Sequence, residues 1–198
     1  LSTRYKDHIG VIRSWDFNRA VWQYPVIIDN MMNLELLEWA SKNSDNSRFA
    51  SIARSHADVT LKNHFRPDYS CWHVVSYDTI TGQPEKKHTR QGYSHESSWS
   101  RGEAWALYGY VMMYRETQQQ HYLAHAKKVA NYILTHPRMP EDGIPYWDYD
   151  APDIPDTYRD ASAGAIMASA FIELSTMIQG ELSRKCLMMA ETQLKTLT

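Results

Sequence analysis

The chain has 198 residues, a formal net charge of −2 and 22% charged residues, so it carries no general attraction for nucleic acid or an acidic membrane. The length suits one domain with a sizeable core, and no run approaches the ~18 consecutive apolar residues of a membrane span. Thirteen Tyr and seven Trp stand against four Phe, and flat rings with a polar edge suit sugar stacking as well as an aromatic-rich core.

The opening, LSTRYKDHIG, has no basic–apolar–small signal pattern and no initiating Met. The expectation is a chain that begins after processing, or a fragment. Next comes YPVIIDNMMNLELLEWA, Tyr24 to Ala40, where Asp29 stands in an otherwise apolar run. A buried polar group without a partner costs roughly 2–7 kcal/mol, so Asp29 has either a helix-capping role, with Asn30 as the competing cap, or chemistry to perform. Met32, Leu36, Leu37 and Ala40 fall at helical spacing, SKNSDNS stops the helix, and Phe49, Ile52, Ala53, His56, Ala57, Thr60 and Leu61 mark a second one.

The same design recurs twice. EAWALYGYVMMYRE is helical, TQQQ breaks it, and HYLAHAKKVANYILTH resumes before Pro137. ASAGAIMASAFIELSTMI then passes through QGEL into SRKCLMMAETQLKTL. Three helix–turn–helix units predict stacked helical hairpins. Between them run long loops rich in Gly, Pro, Tyr, Trp, His and Asp, a length that favours function over mere connection. Within the first loop, Trp72 to Asp78 alternates like a short strand with TITGQP as its turn.

Candidate chemistry gathers in these loops. HTRQGYSHESSWSRGEAWALYGY contains Arg90, Gln91, Tyr93, His95, Trp99, Arg101 and Trp105. Arg101 presents a planar fork that suits a carboxylate, and Trp105, one helical turn on, can share its face. Equally, Arg101 can bond a neighbouring carboxylate or helix-end carbonyls while Trp105 is simply buried. Asp160, in YRDASAGAI, reads as an N-cap, with Arg159 free to pair with a carboxylate nearby. His73 stands on the alternating run opposite Trp72. His121 and His125 have i, i+4 spacing but no adjacent acid and read as a solvated helix face, so no metal site is expected. No cofactor loop is present, and Cys71 and Cys186 read as free thiols.

The stretches VIIDNMMNLELLEWA, CWHVVSYDTITG, TRQGYSHESSWSRGEAWALYGY and GIPYWDYDAPDIPDTYRDASAGAI together resemble the unsaturated glucuronyl hydrolases, glycoside hydrolase family 88. SWSRGEAW is closer to this branch than to the related rhamnogalacturonyl hydrolases. The resemblance implies an all-α (α/α)6 barrel of six hairpins, of which residues 1–198 would form a partial domain of about three. It implies removal of a Δ4,5-unsaturated uronic acid from the non-reducing end of lyase-cleaved glycosaminoglycan-type oligosaccharides, without cofactor or metal. By the same resemblance Asp29 is the general acid and base, and Trp15, His73, Gln91, Arg101 and Trp105 line the pocket. Arg101 would bind the uronate or assist His73, and the two indoles would face the sugar.

Two positions depart from the family pattern. Arg90 replaces a common His, which would alter how the uronate or its neighbour is held, in favour of charged or sulfated partners. Glu103 replaces a common Gln and reads as a surface change. The family's second pocket Asp lies upstream of anything in this chain. The expectation is therefore a fragment whose exposed apolar seams meet the rest of the barrel or another copy. The sequence leaves the compartment open, with the resemblance suggesting bacterial cytoplasm or periplasm; the expected partner is an oligosaccharide, with neither nucleic acid nor membrane. The competing expectation is a non-catalytic carbohydrate-binding or assembly piece.

Overall fold

The computed structural model describes residues 1–198. Two short strands, β1 (Tyr5–Lys6) and β2 (Val11–Ile12), pair antiparallel. Strand β3 (Pro25–Ile27) leads directly into a 3-10 turn at Ile28–Asn33 and then helix α1 (Leu34–Lys42), which pairs with α2 (Arg48–Asn63). After the first long loop, with β4 (Val74–Tyr77) and β5 (Pro84–His88), come α3 (Ser100–Thr117) and α4 (Gln120–Thr135). The second long loop precedes α5 (Ala161–Met177) and α6 (Glu181–Leu197). All three expected hairpins are present.

Helix α3 is the central element. Ala104, Ala106, Leu107, Tyr110, Val111, Met112 and Met113 are fully buried around much of its circumference, the pattern of a helix covered by neighbours on several sides. It packs against α1, α4, α5 and the 3-10 turn. Gly109 permits that last approach, since a Cβ there would fall 2.4 Å from Met31 Cβ. The αL residue Gln118 ends α3, and the α4 helix stops at His136, before Pro137 as expected.

Three features of the N-terminal half go beyond the sequence reading or differ from it. Pro25–Ile27 forms a strand for which the sequence reading made no assignment: Val26 faces Val75, and Ile27 faces Val74, in an antiparallel β3–β4–β5 sheet. β4 is buried at Val74, Val75, Ser76 and Tyr77 alike, with β3 and β5 on its two edges, so its alternation carries no solvent side. On α1, Leu34, Leu37 and Glu38 turn inward, while Leu36 and Trp39 are exposed at 58% and 60%. The 3-10 turn rotates the helix start relative to a continuous α-helical phase.

His125 also departs from expectation. It is buried, with its ring 4.1 Å from Phe65 and 4.6 Å from Tyr110, and only His121 lies at the surface, bonded to Asp58 at 3.0 Å. The two histidines straddle the border of the α4 buried face. Cys71 and Cys186 are free and buried.

Candidate functional site

The β3–β4 pairing brings Asp29 and His73 together. Ile28 N–H donates to His73 O at 3.0 Å, so the first residue of the 3-10 turn is tied to the residue preceding β4. Asp29 follows inside that turn, whose N-cap is Ile27 without a side-chain cap bond. The capping explanation for Asp29 therefore fails. Its side chain is 13% exposed, and Oδ2 is buried without a hydrogen-bond partner, an arrangement that buried polar atoms seldom tolerate. Burial is the main reason its carboxyl is pushed up to about 6, against opposing pulls from its own backbone N–H and from Arg101.

His73 faces it as a neutral ring. Its Nδ1 lies 3.2 Å from Arg90 N and 3.3 Å from Gln91 N, both donors, and 3.2 Å from the Thr89 hydroxyl. A nitrogen that accepts main-chain N–H groups carries no proton, so the ring proton is assigned to Nε2. Nε2 stands 3.8 Å from Asp29 Oδ2, longer than a hydrogen bond. Burial, then Arg90 and Arg101, hold the imidazole down at about 3. This pair is a neutral N–H beside a carboxyl group, not an ion pair.

Arg101 reaches the same place from the first turn of α3. Its Nε donates to Asp160 Oδ2 at 3.0 Å, and Asp160 Oδ1 accepts from Ala163 N at 2.9 Å. Asp160 thus caps α5, as its sequence suggested, and anchors the guanidinium with its other oxygen. The guanidinium carbon lies 5.3 Å from the centre of the Trp99 ring, which itself lies 4.4 Å from the His73 ring. Trp99 thus contacts both the neutral His73 ring and the Arg101 guanidinium; the sequence reading named it without a role.

Trp15 and Arg90 extend the wall. Trp15 stacks on Phe17 at 5.5 Å and meets Trp22 edge-on at 5.2 Å. The exposed Arg90 guanidinium sits 5.7 Å from the Trp15 ring and 4.9 Å from Phe17, within cation–π range. Gln91 contributes its main-chain N–H to His73 while the residue itself is exposed. Trp105 stands apart from this cluster, edge-on to Tyr108 at 5.9 Å and beside a shallow cavity of ≈ 300 Å³ with Ala165 and Ile166.

Glu103 corrects the sequence reading outright. Far from lying at the surface, it is completely buried, and it accepts from Cys71 N at 2.8 Å and from Ser98 Oγ at 2.7 Å. Asp148 does comparable work in the loops, receiving Tyr93 N at 2.8 Å and Ser97 Oγ at 2.7 Å. Arg159 pairs with Asp142. The charge pattern was visible in sequence, but which acids face inward depended on how the two long loops close on each other. No group of His, Cys, Asp and Glu is arranged to hold a metal ion.

Three helical hairpins whose joining loops meet around a buried acid define about half of an (α/α)6 toroid, a barrel used by glycoside hydrolases. No protein-family model matches the chain. By sequence and fold, the chain belongs to the unsaturated glucuronyl hydrolase family. It is 54% identical over 176 residues to the unsaturated glucuronyl hydrolase of Formosa agariphila, covering 89% of this chain and 44% of that protein. The crystal structure of an unsaturated glucuronyl hydrolase specific for heparin superposes with a TM-score of 0.95 at 48% identity, over 98% of this chain and 52% of that one. The enzyme from Bacillus sp. GL1, responsible for the degradation of glycosaminoglycan, gives a TM-score of 0.90 at 30% identity over 98% and 52% of the two chains. The chain spans about half the length of the relatives it matches.

Proposed function

We propose that the polypeptide carrying this chain removes a Δ4,5-unsaturated uronic acid from the non-reducing end of glycosaminoglycan-type oligosaccharides by hydrating the vinyl ether. The observation that supports this reading is the protonatable, partnerless Oδ2 of Asp29, held opposite His73 and within the field of Arg101. A carboxyl group pushed up to about 6 still holds its proton in part near neutrality and is suited to proton donation.

The Asp29 carboxyl gives its proton to C4, and the C4=C5 electron pair forms the new C–H bond. Positive charge then develops at C5 and is shared with the ring oxygen. Water adds to C5 and returns a proton to the Asp29 carboxylate, which restores the acid. The resulting hemiketal opens, and the sugar on the reducing side leaves. The neutral His73 Nε2–H can orient the water or the substrate without competing for the proton. Free nitrogens of Arg101, beyond the Nε held by Asp160, suit the uronate carboxylate. Trp15 lies on the sugar-facing side with Arg90 at its rim, where a sulfate or second acid would meet a cation, and Gln91 adds a main-chain N–H that fixes the His73 ring.

In the same reading, residues 1–198 form part of the barrel. The exposed Leu36 and Trp39 of α1, and Leu187, Met188 and Leu194 of α6, are seams covered by further hairpins of the same toroid. The test is ultraviolet absorbance of the conjugated double bond in unsaturated disaccharides, followed with the intact polypeptide and with Asp29→Asn. Loss of the signal in the parent and not in the variant supports the reading. Saturable binding with no turnover by the parent refutes it in favour of a carbohydrate-binding piece.

A further inference from the structure

Glu103 occupies the turn of α3 between Arg101 and Trp105, yet it has no exposed surface. A single oxygen, Oε1, receives both of its bonds: Cys71 N–H at 2.8 Å and the Ser98 hydroxyl at 2.7 Å. Ser98 Oγ in turn accepts from Tyr132 OH at 2.9 Å. The other oxygen, Oε2, is buried without a partner.

The two groups held by Oε1 belong to the two segments that clamp the imidazole. Cys71 lies two residues before His73 on the approach to β4. Ser98 immediately precedes Trp99, whose ring covers His73 at 4.4 Å. Tyr132, from α4, closes the same network from behind. A slip of either segment would carry His73 Nε2 away from its place 3.8 Å from Asp29 Oδ2.

We propose that Glu103 is a positioning residue for the Asp29–His73 pair, acting through Oε1 as a shared acceptor that joins the Cys71 and Ser98 segments. The inference rests on the reading of Asp29 as proton donor. Burial pushes the Glu103 carboxyl up to about 7, opposed by the Cys71 and Ser98 bonds and by Arg66. Near neutrality a large share of it is therefore uncharged, and an uncharged carboxyl still offers a carbonyl oxygen to both donors. The acceptor, not the charge, does the holding, and an amide in the same place would serve equally well.

The experiment compares the intact polypeptide with Glu103→Gln, Glu103→Leu and Ser98→Ala. It reads kcat and KM separately, together with the ¹⁵N shifts of the His73 ring. Glu103→Gln is expected to keep kcat within about twofold and to leave the His73 shifts in place. Glu103→Leu is expected to lower kcat at least about tenfold with KM moved less than about threefold, and to shift the His73 nitrogens toward those of a freely exchanging imidazole. Should Glu103→Leu not fold, Ser98→Ala removes one of the two bonds with little loss of volume and is expected to move the same His73 signals. Unchanged His73 shifts in a folded Glu103→Leu, or in Ser98→Ala, overturn the proposal. So does an equal loss in Glu103→Gln and Glu103→Leu, which would make charge the agent. If the His73 shifts respond as expected while the parent turns over no unsaturated uronide, the positioning role stands and the proposed reaction falls.

Discussion

His73 Nε2 faces Asp29 Oδ2 across 3.8 Å with both groups uncharged at mildly acidic pH, because burial drives the acid up to about 6 and the imidazole down to about 3. The same burial moves the two groups in opposite directions, since it disfavours the charged form of each. The result is an acid that retains its proton beside a ring that does not take it. Reaction rate should follow the acid alone.

The pH profile of kcat/KM should therefore show one descending limb as pH rises through about 6, from loss of the Asp29 proton. His73, held down at about 3, contributes no limb in the same range. Initial rates with an unsaturated disaccharide from acid to mildly alkaline pH check this. A rate that climbs with pH across neutrality would contradict it.

Asp29→Asn should lower turnover by about 10²–10⁴, the usual worth of a positioned proton donor, while raising stability. The folded pKa of about 6 lies above the ordinary 3.8, so the native state binds the proton more tightly between those values. Stability from this group is fully present below 3.8 and lost as pH rises through 6. At neutral pH the ionised acid thus costs on the order of 2–3 kcal/mol, which the neutral amide avoids. Denaturant melts of both forms at neutral and acid pH should converge at the acid end.

Asp160→Asn separates the two tasks of that side chain. The amide oxygen can still accept from Ala163 N, so stability should change by less than about 1 kcal/mol. The charge that steadies Arg101 at 3.0 Å is lost, and KM for a uronate substrate should rise several-fold with kcat altered less. Steady-state kinetics alongside a thermal melt distinguish this from simple unfolding.

Gly109→Ala should destabilise the chain by about 1–3 kcal/mol, the common cost of overpacking. The added methyl would sit 2.4 Å from Met31 Cβ, and relief requires displacing the turn that carries Asp29. Activity should fall further than the melting temperature alone explains. Comparing both below the melting transition checks the point.

Trp39→Gln combined with Met188→Gln should lower self-association of the 198-residue chain without loss of helix content, because both side chains are exposed at 60% and 67%. Sedimentation velocity against concentration measures it. Equal association of parent and variant would remove these faces from the account.

The helical hairpins were legible in sequence because α2 through α6 each carry a sustained helical period and clear breaks, such as Gln118 and the Pro137 boundary. β3 was not, since Pro25–Ile27 is a three-residue strand whose apolar character equally suits a helix entry. Asp29, His73 and Arg90 stood in the motifs and Trp15 was named by the resemblance alone; in the structure His73 lies beside Asp29 and accepts from Arg90 N, and the Arg90 guanidinium lies over Trp15. Glu103 was misread because an exposed and a buried acid look alike until a partner is known, and Cys71, its partner, lies thirty-two positions away. His125 was misjudged for a related reason: its aromatic neighbours, Tyr110 on the paired helix α3 and Phe65 just past α2, are distant in sequence.

The anchoring of Arg101 by Asp160 has a consequence for the order in which the protein is made. Synthesis delivers segments from the N-terminus, and early segments can organise first. Asp29 and His73 can be joined by strand pairing while the later helices are still inside the ribosome. Arg101 would emerge soon afterwards with a freely swinging side chain and come to rest only when Asp160 arrives. Hydrogen exchange on ribosome-stalled chains should accordingly find the β3–β4 amides protected before the first turn of α5, and the reverse order would disprove this sequence of events.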